Sequence, residues 1–173
     1  AQAASDFLKN VCIQKAFSSS LSRPRETAQI ILKEHPGIEI SLNDKLKEIG
    51  HGKWEGKLES EIQADWPDLL KAWKIRPEEV QMPDGENIKE VSKRSITGWI
   101  EICKNLKNNE TALVVAHDAV NKTILCHLLG LTPSEIWMIK QGNGGITVID
   151  LSEKEDQPDQ ITCLNITSHL GGV

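Results

Sequence analysis

Several features are scarce or missing in this chain of 173 residues, and each absence narrows what it can be. No apolar run approaches the roughly 18 residues that a membrane helix needs. The formal net charge is -5, so the basic excess that is typical of nucleic-acid-binding proteins is missing. Internal repeats and low-complexity tracts are absent as well. We therefore expect a globular protein with no nucleic-acid partner and no contact with a membrane.

Cysteine is also sparse and is not arranged for metal binding. The four cysteines, Cys12, Cys103, Cys126 and Cys163, are far apart and form no Cys-x-x-Cys pair. Each lies in an apolar segment, which favours buried reduced thiols, with metal or disulfide use as the alternative. No signal peptide is visible. These observations predict a cytoplasmic location, or the plastid stroma if the source is a photosynthetic eukaryote.

Strand and helix patterns alternate along what we expect to be one domain covering residues 1–173. Strands are predicted at 13–19, 38–42, 111–116, 145–151 and 160–165, and helices at 1–10, from 22 onward, 59–65, 68–75, 88–106, 119–129 and 134–140. The last two strands form a hairpin around the polar loop SEKEDQPD. This alternation predicts an α/β layered fold with a mostly parallel sheet.

Individual residues mark the ends of these elements. Ser22 is expected to cap the second helix, and Pro24 suits its first turn. Asn87 is expected to cap the long helix that follows it. The run TALVVAH at 111–117 is almost continuously apolar, which predicts a strand that is buried on both faces.

Polar residues follow two of the predicted strands directly. One strand ends at Ser18, and Arg23 comes soon after it; the strand at 111–116 is followed at once by His117. In open α/β sheets, ligands bind at the carboxyl ends of the strands. The sequence therefore predicts a site that contains Arg23 and His117.

Arg23 and Arg25 lie in the first turn of a predicted helix, where free N–H groups and a partial positive charge favour an anion. The alternative is a solvated helix start with a salt bridge from Arg25 to a nearby acid. Arg23 is the stronger candidate because it is nearer the strand end. His117 could donate to an oxyanion or transfer a proton, or its ring could be satisfied by the backbone alone.

Glu48 lies in the glycine-rich segment LKEIGHGKWEG at 46–56. A carboxyl group packed against Trp54 would have a raised pKa and could protonate a leaving group; otherwise it is a surface acid of a loop. The remaining histidines show no informative spacing and are interpreted as structural or exposed: His35, His51, His127 and His169.

Four segments taken together resemble one known family. SSSLSRPRETA at 18–28, LKEIGHGKWEG at 46–56, MPDGEN at 82–87 and LVVAHDAVNK at 113–122 resemble, in order and spacing, the histidine phosphatase (phosphoglycerate mutase-like) family. The resemblance covers residue 1 to about 151. The chain is especially similar to cyanobacterial and plastid members related to 2-carboxyarabinitol 1-phosphate phosphatases. The fold implied is a three-layer α/β/α sandwich.

The resemblance also implies a chemistry. In this family a histidine attacks the phosphoryl group, and no metal or cofactor takes part. By resemblance, Arg23 and His117 hold the phosphoryl oxygens and Glu48 protonates the departing oxygen. The expected substrate is a small phosphorylated metabolite, and a homodimer is compatible with the sequence. The residues expected to bind substrate are Arg23, His117, Ser19, Arg25, Asp118 and Asn143.

Two departures from the family pattern stand out. His117 is followed by Asp118, where the family commonly has glycine, and this carboxylate could repel substrate or contact a hydroxyl or amine on it. The Arg-His-Gly motif that carries the nucleophile occurs nowhere in the sequence. We expect it upstream of residue 1, in about 30 further residues that would also carry the first strand and another clamp arginine.

Two other functions stay open. A phosphoglycerate mutase would need a phosphorylated cofactor and longer substrate-enclosing insertions, for which the region between Glu55 and Pro83 is short. A non-catalytic domain that binds a phosphate ligand or a protein is the other alternative, and an in-frame Arg-His-Gly upstream in the gene would argue against it. In the 50–85 region, Trp54, Trp66, Trp73 and Met82 are expected in the core rather than at a substrate entrance.

Overall fold

The computed structural model describes residues 1–154 and 156–171, and the elements alternate much as the sequence predicts. Part of the predicted loop SEKEDQPD and the last two residues lie outside the described residues. The helices are α1 (Gln2–Leu8), α2 (Ser22–Ile31), α3 (Glu59–Asp65), α4 (Pro67–Ile75), α5 (Ile88–Asn105) and α6 (Asp118–Leu128). The strands are β1 (Lys15–Ser18), β2 (Ile40–Leu42), β3 (Ala112–Val115), β4 (Ile146–Asp150) and β5 (Gln160–Ile166). None of these helices has the length and hydropathy to cross a bilayer.

The main sheet is parallel and has the order β2-β1-β3. Alternate side chains of a strand point to opposite faces, and here they enter two different clusters. Ala16 packs with Ile13 and Leu32 on the side of α2. Its neighbour Phe17 joins the larger core cluster, which also contains residues of α5 and α6. Helices thus cover both faces of the sheet, which confirms the predicted α/β fold with a mostly parallel sheet.

Strand β3 is less buried than its apolar sequence predicts. All four of its residues are only half-buried, so the expectation of a strand fully buried on both faces is wrong. Among the described residues, β3 pairs with β1 alone, and β4 pairs only with β5, as the predicted antiparallel hairpin. One edge of β3 and one edge of β4 therefore lack a strand partner within residues 1–154 and 156–171.

The two predicted helix caps have different outcomes. The Asn87 side chain accepts a hydrogen bond from the backbone N–H of Glu90 at 2.9 Å, and the Glu90 carboxylate accepts one from the N–H of Asn87, which completes a capping box. Ser22 does not cap α2. The residue before the helix is Leu21, whose side chain cannot accept a hydrogen bond, and Ser22 is already the first helical residue.

Three smaller expectations have different outcomes. A short helix is predicted at 134–140, and the structure has a 3-10 helix at Pro133–Met138. Of the cysteines, all of which are free thiols, Cys126 alone is buried, Cys103 is half-buried, and Cys12 and Cys163 are exposed, so the prediction of buried thiols holds for Cys126 only. Trp54, Trp73 and Met82 are buried and Trp66 packs against them, as expected for core residues.

Candidate active site

The carboxyl ends of β1 and β3 bring two distant polar residues into direct contact. Ser19 extends the pairing by one residue, because its backbone N–H donates to the carbonyl of Val115 at 3.0 Å. This register places the Ser19 hydroxyl 3.0 Å from Nε2 of His117, although the two residues are 98 positions apart. His117 is therefore held by a side chain, not by the backbone alone. The same hydroxyl also accepts, at 3.3 Å, from the N–H of Leu21 at the start of α2.

His117 is a buried and neutral imidazole at pH 7. It is 7% exposed, and it lies immediately before α6. Burial is the largest cause that lowers the pKa of its ring to about 4, and the positive charges of Arg23 and Arg94 lower this pKa further. An anion bound beside these charges would oppose both effects and favour the imidazolium form.

Arg23 and Arg25 differ in what they can reach. Arg23 lies in the first turn of α2, is exposed, and is close enough to act electrostatically on His117. Arg25 is also exposed, and its backbone N–H donates to the carbonyl of Leu21 at 3.3 Å, within the first turn of the helix. Among the described residues neither guanidinium forms an ion pair, so the salt bridge considered for Arg25 is not found. Arg23 is therefore free to bind an anion at the sheet edge.

Glu48 lies near the same sheet edge, beside the first residues of α6. Its carboxyl group accepts a hydrogen bond from the N–H of Ile49 at 3.0 Å. Burial raises the pKa of this carboxyl group, and the nearby charge of Asp118 adds to the effect, while the N–H groups of Ile49, Ala119 and Asp118 act against it. Glu48 thus faces the N-terminus of α6, one residue beyond His117, and it is half-buried rather than a surface acid.

The segment that carries Glu48 is held against the segment 83–86 by backbone contacts. The N–H of Lys53 donates to the carbonyl of Pro83, and the N–H of Glu86 donates to that of Gly50, both at 2.8 Å. Gly52 has a φ of +55°, and a Cβ at this position would overlap the carbonyl oxygen of Pro83. Glycine is required here because the two backbones touch.

The exposed carboxylate of Asp118 is paired with a buried lysine. Lys122, which is four residues further along α6, donates to it at 2.9 Å, and the Lys122 side chain is only 9% exposed. The ammonium group also lies over the ring of Trp137, 4.8 Å from its centroid. Lys122 therefore offsets the negative charge that the sequence places beside His117, and simple repulsion of an anionic substrate is not expected.

Asn143 is not brought to this site. It is an exposed residue of the turn between Gly142 and Gly145, and the contacts of that turn run to Asn165 and His169. A cleft of about 520 Å³ opens elsewhere beside the Glu48 segment, and its lining includes His51, Trp54, Trp73, Trp137 and two lysines. Sequence reasoning gave His51 no role, but its ring packs edge-on against Trp73 in this cleft.

Three groups lie together at the edge of the α/β sheet: an arginine without an ion pair in the described part of the chain, a neutral histidine and a carboxyl group of raised pKa. Such a set of groups suits the binding and cleavage of an anionic ester. A model of the histidine phosphatase superfamily (branch 1) matches residues 1–164. The chain belongs to this family, and the resemblance inferred from its motifs is confirmed. Phosphatase names recur among the relatives.

Two relatives and one solved structure show the range of similar proteins. Phosphoserine phosphatase 1 of Hydrogenobacter thermophilus is 32% identical over 90% of this chain and 71% of its own length. The 2-carboxy-D-arabinitol-1-phosphatase of Triticum aestivum is 29% identical over 86% of this chain, but the match spans only 30% of that protein. The structure of Bacillus stearothermophilus YhfR superimposes with a TM-score of 0.88 at 24% identity, over 98% of this chain and 82% of that one.

Proposed function

We propose that this protein is a phosphomonoesterase that hydrolyses a small phosphorylated metabolite through a phosphohistidine intermediate. One observation carries the proposal. In a chain that belongs to the histidine phosphatase superfamily, Arg23 and Glu48 approach His117 and the N-terminus of α6 at a single edge of the sheet. Fixed cationic and N–H donors at such a place stabilise the charge that spreads over phosphoryl oxygens during transfer.

Each residue has a distinct role in this mechanism. Arg23 binds two phosphoryl oxygens with its guanidinium group, and His117 donates to a third. As the P–O bond of the ester breaks, Glu48 gives its proton to the leaving oxygen. The Glu48 carboxylate then takes a proton from the water that attacks the phosphohistidine, and inorganic phosphate leaves. The histidine that accepts the phosphoryl group stays a prediction of the family resemblance.

The first substrate to test is L-phosphoserine, because a relative that is 32% identical carries that activity in its name. In the proposal, Ser19 orients His117, and Asp118 contacts a polar group on the alcohol side of the ester. Arg25 and Asn143 are weaker candidates for substrate contacts because, unlike Arg23, neither acts on the charge of His117. A mutase would instead interconvert 2- and 3-phosphoglycerate without net release of phosphate, so a separate assay with these two substrates distinguishes it.

Arg23→Ala in the full-length protein tests the clamp. We expect kcat/KM for phosphomonoesters to fall by about 10²-fold or more, because one charged donor to the transferring group is lost. Arg25→Ala is the matched control, since it removes the same side chain two positions away. An unchanged rate in Arg23→Ala, or an equal loss in both variants, would contradict the assignment.

Glu48→Gln tests the proton donor. We expect a loss of about 10²-fold or more on an alkyl phosphate and a much smaller loss on p-nitrophenyl phosphate, because p-nitrophenolate leaves without a proton. The ratio of the two losses is the quantity to measure. Equal losses on the two substrates would count against Glu48 as the acid.

Location and assembly are proposed from the sequence alone. The expected location is the cytoplasm, or the plastid stroma in a photosynthetic eukaryote, and a homodimer is the assembly to look for. Size-exclusion chromatography with light scattering measures the assembly directly.

A further inference from the structure

Arg94 in the middle of α5 makes an unusually complete set of hydrogen bonds. Its Nε and Nη2 donate to the two carboxylate oxygens of Glu86, each at 2.8 Å. The remaining donors reach the backbone: Nη1 bonds the carbonyls of Lys45 and Lys47 at 2.9 and 2.6 Å, and Nη2 bonds that of Glu48 at 3.0 Å. A guanidinium group has five N–H donors, and all five are used here.

This saturation separates Arg94 from Arg23. Arg94 is close enough to lower the pKa of His117 by its charge, so it lies beside the phosphate site. Without a free N–H, however, it cannot bind a phosphoryl oxygen unless it releases the backbone carbonyls. Its side chain is also largely buried, with 22% exposed. The geometry therefore suits a structural support of the site rather than a ligand of the anion.

Glu86 extends the same support to the other side of Glu48. Its Oε2 accepts from the N–H of Gly50 at 2.9 Å, in addition to the bond from Arg94. Burial tends to raise the pKa of this carboxyl group, but the hydrogen bonds and charge of Arg94, with the N–H of Gly50, leave it lowered, so Glu86 is an anion at neutral pH. The ion pair thus holds the carbonyls of residues 47 and 48 and the N–H of residue 50.

The backbone that it holds around Glu48 is not part of a regular helix or strand. Between the 3-10 helices Asp44–Leu46 and Gly52–Trp54, the chain lies in neither a helix nor a strand. The carboxyl group of Glu48 projects from this stretch toward Asp118 and Ala119 on α6. A displacement of about 1 Å in a reacting group can cost about 10²-fold in rate. Contacts that fix this backbone therefore also fix the position of the Glu48 carboxyl group.

We infer that the Glu86–Arg94 ion pair is a positioning element, which fixes the carboxyl group of Glu48 against the N-terminus of α6 for proton donation to the leaving oxygen. Arg94 and Glu86 touch neither substrate nor reacting atoms, and they act through Glu48. The inference rests on the proposed function only for the role of Glu48 as the acid.

The test compares Arg94→Lys and Glu86→Gln with the wild type, in the full-length protein. Lysine keeps the charge near His117 but cannot make five directed bonds. We expect kcat/KM on L-phosphoserine to fall at least about tenfold more than kcat/KM on p-nitrophenyl phosphate, as for misplacement of a general acid. In a Glu48→Gln background the same substitutions should lose this selectivity. Arg76→Lys, in the exposed Arg76–Glu79 pair, is the matched control.

A second readout does not require activity. The pKa of the Glu48 carboxyl group, followed by carbon-13 NMR, should fall toward its ordinary value in both variants, because the freed side chain becomes more solvated. Equal rate losses on the two substrates, or an unchanged Glu48 pKa in folded variants, would overturn the inference. If wild-type protein hydrolyses no phosphomonoester, the proposed function fails, and the NMR titration still decides whether the pair positions Glu48. Should Arg94→Lys not fold, Glu86→Gln carries both measurements.

Discussion

The depressed pKa of His117 predicts a specific loss of stability in mild acid. The folded protein holds this ring neutral with a pKa of about 4, because it is buried and faces Arg23 and Arg94, whereas the ordinary value is 6.5. The stability that this difference contributes is complete above pH 6.5 and is lost as the pH falls toward 4, since only the unfolded chain takes up the proton in that window. At pH 5 the loss from this residue amounts to about 2 kcal/mol.

Chemical denaturation at pH 7.5 and pH 5 measures this contribution. We expect the free energy of unfolding of the wild type to fall between these pH values by about 2 kcal/mol more than that of His117→Gln. Other titrating groups, Glu48 included, contribute equally to both proteins and cancel in the comparison. His127→Gln, which replaces an exposed histidine at the end of α6, should behave as the wild type does. The same pH dependence in the wild type and in His117→Gln would refute the reasoning.

Two further predictions concern the frame around the site. Gly52→Ala should cost about 3 kcal/mol of stability, because its φ is positive and the new methyl group would overlap the Pro83 carbonyl. Gly37→Ala is the control and should cost less, since Gly37 also has a positive φ, of +87°, but a Cβ there meets nothing within 4 Å. Thermal unfolding of both variants measures the difference, and equal shifts would contradict the packing described. Asn87→Ala should cost about 1 kcal/mol through loss of the cap of α5, and Ser22→Ala less than about 0.5 kcal/mol. A larger effect at Ser22 in urea denaturation would show that it caps α2 after all.

Much of the site was predictable because its residues follow apolar strands directly in sequence. The apolar run ALVVA at 112–116, with a histidine directly after it, places His117 at a strand end by local pattern alone, and the helix start places Arg23 near it. The hydrogen bond between Ser19 and His117 was not predictable, since it depends on the register of β1 against β3 across 98 positions. The burial of β3 was overestimated for a related reason. An apolar sequence indicates that a strand favours a buried position, but it does not indicate which other elements will pack against that strand.

Two residues that sequence reasoning missed differ in how far along the chain their partners lie. Arg94 looks like an ordinary polar position of α5, although it follows the buried Val91 by three residues and so lies beside the apolar face. Its partners include carbonyls of residues 45, 47 and 48, which carry no side-chain signal. Lys122 was more accessible to sequence reasoning. Its spacing of four from Asp118 on one helix is typical of an ion pair, even though its burial needed the fold.

The charges of the site limit how it can bind a phosphate ester. Among the described residues, Arg94 is paired with Glu86 and Lys122 with Asp118, so Arg23 contributes the principal uncompensated positive charge near His117. A phosphate monoester carries close to two negative charges at neutral pH, since its second pKa is near 6. One guanidinium group therefore cannot neutralise it while His117 stays uncharged. Binding of the ester therefore favours a higher pKa of His117, since an anion beside the ring stabilises its imidazolium form. Because the charge of Arg23 is one cause of the lowered pKa of His117, an anion that pairs with Arg23 also removes part of that effect.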